Sequence, residues 1–160
     1  MSLKLASRAF QHEGVIPDRY SKDGGNISPP LAWTDVPQAT KSLALIMDDP
    51  DAPSGVFAHW LVYNIPPTST ELNEDLPATP SLSNNILQGR NGFGELGYGG
   101  PRPPTGTHRY FVHLYALDAK FDLPSGVSRE QLDQALQGHI LEEAQLMGRY
   151  EHREIGSRVA

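Results

Sequence analysis

The stretch GPRPPTGTHRYFVHLYALD, residues 100–118, decides how the rest of the chain is read. Its first half is mostly turn formers, its second half has the composition of a buried strand, and a His-Arg-Tyr triplet stands at the junction. Pro101, Pro103 and Pro104 fix their own φ angles, while Gly99, Gly100 and Gly106 permit close backbone approach. A stiff loop therefore delivers a titratable imidazole to the edge of a core, and such a loop can aim amide N–H groups at an anion. In an extended chain the side chains alternate between faces. His108, Tyr110, Val112 and Leu114 fall on one face, and Arg109, Phe111, His113 and Tyr115 on the other.

Working outward, four segments read as strands: 3–10, 43–48, 58–65 and 109–117, each bounded by Pro, Gly or Asp. SLALIMDD (42–49) is almost continuously apolar, which predicts burial on both faces. Strict alternation in HWLVYNIP (59–66) sets His59, Leu61, Tyr63 and Ile65 on one side and Trp60, Val62 and Asn64 on the other. One helix is predicted. Ser128 and Gln131 make a capping box, and Leu132, Leu136 and Ile140 recur at four-residue spacing, with Gly138 weakening that helix by about 1 kcal/mol. In AQLMGRYEH (144–152), Ala144, Leu146, Gly148 and Tyr150 alternate with polar neighbours, so a last strand competes with continued helix. Residues 66–107 are too long for a structureless loop in a compact domain, so short strands are expected there. NNILQGRNGFG (84–94) is the best candidate, with Asn91-Gly92 as a turn that accepts positive φ. The fold class is mainly β, an antiparallel β-sandwich with one C-terminal α-helix, and residues 1–160 are taken as one domain.

Composition narrows the function. A domain of 160 residues buries roughly 68–70% of its unfolded surface and needs no staple. The absence of cysteine removes disulfides and thiolate metal sites. A net charge of −6, with no Lys/Arg cluster beyond two neighbours, argues against nucleic acid. No apolar run approaches a membrane span, and MSLKLASRAFQHEG lacks the apolar core of a signal peptide, so a cytoplasmic protein is expected.

Three constellations carry the chemistry. In DDPDAP (48–53) the prolines hold Asp49 and Asp51 in a stiff turn at the end of an apolar strand, although Asp beside Pro is also ordinary turn chemistry. In FAHWLVYN (57–64) His59 lies among apolar neighbours, where a hydrogen-bonded core histidine is the plain alternative. The third is His108 with Tyr110, neighbours on an inward face. Together they offer carboxylates, imidazoles and a phenol at strand ends, where binding groups collect on rigid scaffolds.

NISPPLAW (26–33), DPDAPSGVFAHWLVYNIP (49–66), GYGGPRPPTGTHRYFVHLYALD (97–118) and GHILEEAQLMGRY (138–150) resemble the phosphatidylethanolamine-binding protein family, and within it the compact prokaryotic Raf kinase inhibitor-like branch. The resemblance implies a β-sandwich with Greek-key connections and a small anion pocket at one end. Matched position by position, it implies Asp49, Asp51, His59, His108 and Tyr110 as pocket residues, with Gly100 and Pro101 as loop walls. Phe57 stands where animal members carry a Trp wall, so the ring is kept and the indole donor is not. No catalytic residue, metal or cofactor is assigned.

The function expected from this is a soluble binding protein for a small anionic ligand: a phosphate, a phosphorylated headgroup or a carboxylate. A carboxylate within about 4–6 Å raises a histidine's pKa, so Asp49 or Asp51 is expected to hold His59 or His108 protonated. Family analogy adds a kinase or protease partner, and a homodimer whose interface Leu72, Leu76 and Leu82 would help cover. The alternative is a hydrolase, acid–base or metal-assisted, using Asp49, Asp51, His59 and His108. Against it, the sequence has no Ser or Cys nucleophile in a recognisable setting, no HExxH pattern and no phosphate loop.

Overall fold

A computed structural model describes residues 2–153. Its elements in order are β1 (Lys4–Ala6), β2 (Gly14–Val15), β3 (Leu31–Thr34), β4 (Ser42–Asp49), β5 (Phe57–Ile65), β6 (Glu71–Leu72), β7 (Leu87–Gln88), β8 (Thr107–Leu117), α1 (Arg129–Leu136) and β9 (Ile140–Glu151). They form two sheets, a small one ordered β1-β3-β6 and a larger one ordered β2-β9-β8-β4-β5-β7. The pairings are antiparallel except β2 with β9, which run parallel at Gly14–Gly148 and Val15–Arg149.

The larger sheet separates two apolar layers. On its inner face Leu43, Leu45, Met47, Trp60, Val62, Tyr110, Val112 and Leu114 pack with Leu31 and Trp33 of the small sheet. On its outer face Ala44, Ile46, Leu61 and Tyr63 pack with Leu132 and Leu136 of α1. β4 is central and covered on both sides, which is why its sequence is continuously apolar: all eight of its residues are buried. The mainly β class, with two sheets and a single helix among the described residues, agrees with the sequence reading.

Where the structure departs from that reading, local geometry gives the reason. The capping box forms: the Gln131 N–H donates to Ser128 Oγ at 3.1 Å, and the Ser128 N–H donates to Gln131 Oε1 at 2.9 Å. The helix stops at Leu136, however, and Gly138 takes φ +83°, so this glycine ends the helix in a left-handed turn instead of weakening its middle. Ile140 accordingly opens β9 and is exposed, not a third apolar residue on the helix face. From there Ala144, Leu146, Gly148 and Tyr150 turn inward as β9 pairs along β8, so the strand alternative of 144–152 is the one realised.

β5 breaks the strict alternation twice. Met47 pairs with Trp60 but Asp48 with Ala58, which leaves His59 as the extra residue of a bulge. His59 and Trp60 therefore both serve the inner face, while Leu61 and Tyr63 go outward, contrary to the face assignment made from period two. A second slip opposite Leu43/Leu45, with Asn64 at φ +60°, returns Ile65 to the inner core.

The first strand is shorter than the 3–10 span, because only Lys4–Ala6 has a ladder partner in β3. Within 66–107 the expected short strands are β6 and β7. The turn near Asn91-Gly92 closes with the Gly94 N–H donating to Asn91 O, and Gly94 takes the positive φ of +80°. Leu72, Leu76 and Leu82 pack against the chain's own inner core, so they are not a free patch for an interface. Among the described residues no helix is long and apolar enough to cross a membrane.

The start of the chain leans on β9. The Leu3 N–H donates to Glu142 Oε1, the Ile16 N–H donates to Arg149 O, and Ile16 and Phe10 fill the space a Cβ at Gly148 would need.

Candidate functional site

At the end of β4 the chain leaves the sheet through the prolines of 48–53, and the turn is locked by the Asp51 N–H donating to Asp49 Oδ1 at 2.8 Å. Asp49 Oδ2 lies 2.6 Å from His108 Nδ1 on the first turn of β8 into the sheet. A carboxylate can only accept, so Nδ1 carries the proton of that bond. Tyr110, two residues on, places its ring 6.4 Å from that of His108 and 5.2 Å from that of His59. Asp49, His59, His108 and Tyr110, distant in sequence, thus converge at one end of the inner face. They are 3%, 3%, 7% and 1% exposed.

The bulge aims His59 here. Its Nδ1 lies 2.6 Å from Gly99 O, and its own carbonyl accepts from the Gly99 N–H. Because a carbonyl only accepts, Nδ1 holds a hydrogen and a neutral His59 leaves Nε2 as an acceptor. Burial pushes its pKa below 6.5, outweighing the Gly99 bond and the Asp49 charge, so the neutral form is favoured. His59 is therefore not the protonated imidazole the sequence reading allowed. Phe57 packs against it at 4.9 Å between ring centroids, with Phe93 edge-on to both.

Asp51 is brought near but turned aside. Arg109 Nε and Nη2 donate to its two oxygens at 3.0 and 2.8 Å, and the Arg109 backbone N–H donates at 2.8 Å. This fork holds the Asp51 pKa down at about 2. The negative charge that faces the buried cluster is accordingly that of Asp49.

Gly100 and Pro101, expected as loop walls, supply no free amide for an anion. The Gly100 N–H donates to Asn26 Oδ1 at 2.8 Å, Pro101 O accepts from the Lys22 N–H, and a Cβ at Gly100 would fall 2.1 Å from Tyr20 O. With the Gly99 N–H given to His59 O, the amides of 99 and 100 are already in use.

One polar atom in the cluster is not. Tyr110 Oη is buried without a hydrogen-bond partner among the described residues. Burial and the Asp49 carboxylate raise the phenol's pKa, so the hydroxyl keeps its proton; the Arg102 amide and Asp49 lie near it but short of hydrogen-bond geometry.

The sequence reading assigned no role to Asn26, Phe93 or Arg109. Asn26 lies in NISPPLAW and Arg109 in the His-Arg-Tyr triplet, so both were visible as part of motifs. Phe93 reaches the site only through the loop closed by Asn91, whose Oδ1 accepts from the Phe93 and Glu95 N–H groups. Among the described residues no three His, Asp or Glu side chains are grouped as metal ligands.

The outer face carries a second ionic cluster. His113 Nε2 lies 3.2 Å from Asp48 Oδ1 and its Nδ1 lies 3.0 Å from Glu143 Oε2, while Arg129 Nη1 donates to Asp48 Oδ2 at 3.0 Å. Burial opposes charge on both members, yet the partners prevail: the His113 pKa is raised and that of Asp48 lowered. A cleft of about 590 Å³ runs beside them, lined also by Phe111 and Val56.

Comparison with known proteins agrees with this architecture. A family profile described as phosphatidylethanolamine-binding protein matches residues 6–151. The UPF0098 protein of Methanothermobacter thermautotrophicus is 54% identical over 148 residues, covering 92% of this chain and 98% of that protein. The UPF0098 protein of Aquifex aeolicus is 48% identical, covering 92% and 88%. Among solved structures, CT736 of Chlamydia trachomatis, a phosphatidylethanolamine-binding protein homologue, superposes with a TM-score of 0.87 at 43% identity over 95% of this chain and 99% of that one. Escherichia coli YbcL, described as a member of the mammalian family of that name, gives 0.88 at 32% identity over 96% and 100%.

Proposed function

Because the chain belongs to the phosphatidylethanolamine-binding protein family, in its prokaryotic branch, we propose that it is a ligand-binding protein whose inner-face site takes a small phosphate- or carboxylate-bearing group. The observation that carries this reading is the partnerless Tyr110 hydroxyl beside the Asp49–His108 pair. A buried hydroxyl left unbonded costs about 1–3 kcal/mol, and a guest oxygen that accepts from it removes that cost.

The charges support the same reading. Asp49 already accepts from His108 Nδ1, so Nε2 is the ring nitrogen left for a guest. Asp51 is neutralised by Arg109 and does not repel an anion strongly. Neutral His59 offers an acceptor nitrogen, which suits the remaining P–OH of a hydrogen phosphate.

Titration calorimetry with inorganic phosphate on the wild-type chain and on His108→Ala tests the reading. Wild type is expected to bind and His108→Ala to lose that binding. Phosphate binding that survives His108→Ala, or none in wild type, would overturn it.

A further inference from the structure

The inner-face site depends on where Asp49 stands, and the backbone ladder is weakest there. Pairing of β4 with β8 ends at Asp48–Phe111, so Asp49 has no ladder partner on that side. On the other side Asp49 pairs with Phe57, but the His59 bulge interrupts the β4–β5 register just before it, between Met47 and Asp48. Beyond Asp49 the chain enters a loop with Gly55 at φ +114°. With a ladder partner on one side only, Asp49 depends on side chains for the rest of its placement.

Asp48, one peptide unit away, is fixed from two directions. His113 on β8 holds Oδ1 at 3.2 Å and Arg129 on α1 holds Oδ2 at 3.0 Å, both on the outer face. Arg129 is itself braced by Asp133 on the next helical turn, and His113 by Glu143 on β9, whose carboxylate also accepts from Gln145 Nε2. The charged groups around Asp48 on that face are thus His113 and Arg109 on β8, Glu143 on β9, and Arg129 and Asp133 on α1. Consecutive residues of a strand face opposite sides, so a displacement of the Asp48 carboxylate rotates the peptide that carries Asp49.

We propose that Arg129 and His113 are positioning residues for the anion site: by gripping Asp48 on the outer face they set the place of the Asp49 carboxylate, and through it His108, on the inner face. This rests on the anion-binding reading above, and makes α1, which contributes nothing to the pocket, part of its support. A network serving stability alone would leave phosphate affinity and the His108 environment unchanged when the fold is intact.

The test uses the full chain with Arg129→Gln, Arg129→Lys and, as a control, Glu130→Gln, an exposed carboxylate on the same helix. Each is measured for inorganic phosphate affinity by calorimetry, for the ring ¹⁵N resonances of His108 by NMR, and for thermal stability. Arg129→Gln is expected to weaken phosphate about three- to tenfold and to move the His108 Nδ1 resonance, Arg129→Lys to recover part of both, and Glu130→Gln to change neither. If Arg129→Gln does not fold, Arg129→Lys against wild type carries the comparison, with a smaller loss in the same direction. Wild-type phosphate affinity together with unmoved His108 resonances in the Arg129 variants would overturn the proposal while leaving the anion site standing. If the wild-type chain takes no phosphate, the anion reading fails, and the His108 resonances alone decide whether Arg129 positions the pair.

Discussion

Asp49 meets His108 at 2.6 Å on the inner face of the larger sheet, and its neighbour Asp48 meets His113 at 3.2 Å on the outer face. The chemistry of the two pairs is the same, but their surroundings differ. Outside, every member is occupied: Asp48 by His113 and Arg129, His113 by Asp48 and Glu143, Arg129 by Asp48 and Asp133. Inside, the pair adjoins a hydroxyl that no described residue satisfies. On the reading proposed above, saturation distinguishes a brace from a seat for a guest.

The contrast breaks most visibly at Asp48. Asp48→Ala leaves Arg129 and His113 without their shared counter-charge and is expected to cost about 3 kcal/mol by urea unfolding. A loss under about 1 kcal/mol would reduce the outer cluster to an ordinary surface pair and erase the distinction. Tyr110→Phe sharpens it from the other side. Removing an unsatisfied hydroxyl should leave stability unchanged or raise it by up to about 1 kcal/mol, while phosphate affinity falls about fivefold. A clear loss of stability would mean the hydroxyl has a structural partner.

The pH dependence follows next. The His113 pKa is raised, so its contribution is complete below the ordinary value of 6.5 and fades as pH rises through the higher folded value. The Asp48 pKa is lowered, so its contribution is present above 3.8 and fades as pH falls through the lower folded value. His113→Gln should therefore lose most stability between those two values and approach wild type in alkali; a gap that widens with pH contradicts the assignment. The smallest effect is expected at Asp51. Its pair with Arg109 is half exposed, so Asp51→Asn should change unfolding free energy by under about 0.5 kcal/mol.

Much of this arrangement was legible in the sequence. β8 could be read because its period is unbroken from His108 to Leu117, and β4 because burial on both faces leaves an apolar run. Asp49, His59, His108, Tyr110 and Phe57 meet as the motifs implied. His59 was placed on the wrong face because a bulge changes register without leaving a residue type to announce it. Ile140 was read as helical because its spacing from Leu136 fits α1, and only the left-handed Gly138 between them shows that the chain has turned. Asp48 and His113 lie within DDPDAP and the 97–118 stretch but carry no assigned role, since their meeting depends on the β4–β8 register. That Gly99 and Gly100 direct their amides to His59 and Asn26 depends likewise on contacts between distant segments.

The docking of residues 3–16 onto β9 sets an order of events during synthesis. The carbonyl that receives the Ile16 N–H belongs to Arg149, and the Glu142 side chain that receives the Leu3 N–H is almost as late to be made. A chain growing on the ribosome must hold Phe10 and Ile16 unsheltered until Gly148 has been added. At roughly 5–20 residues per second that exposure lasts on the order of ten seconds, a window in which a holding chaperone would find its target at the front of the nascent chain.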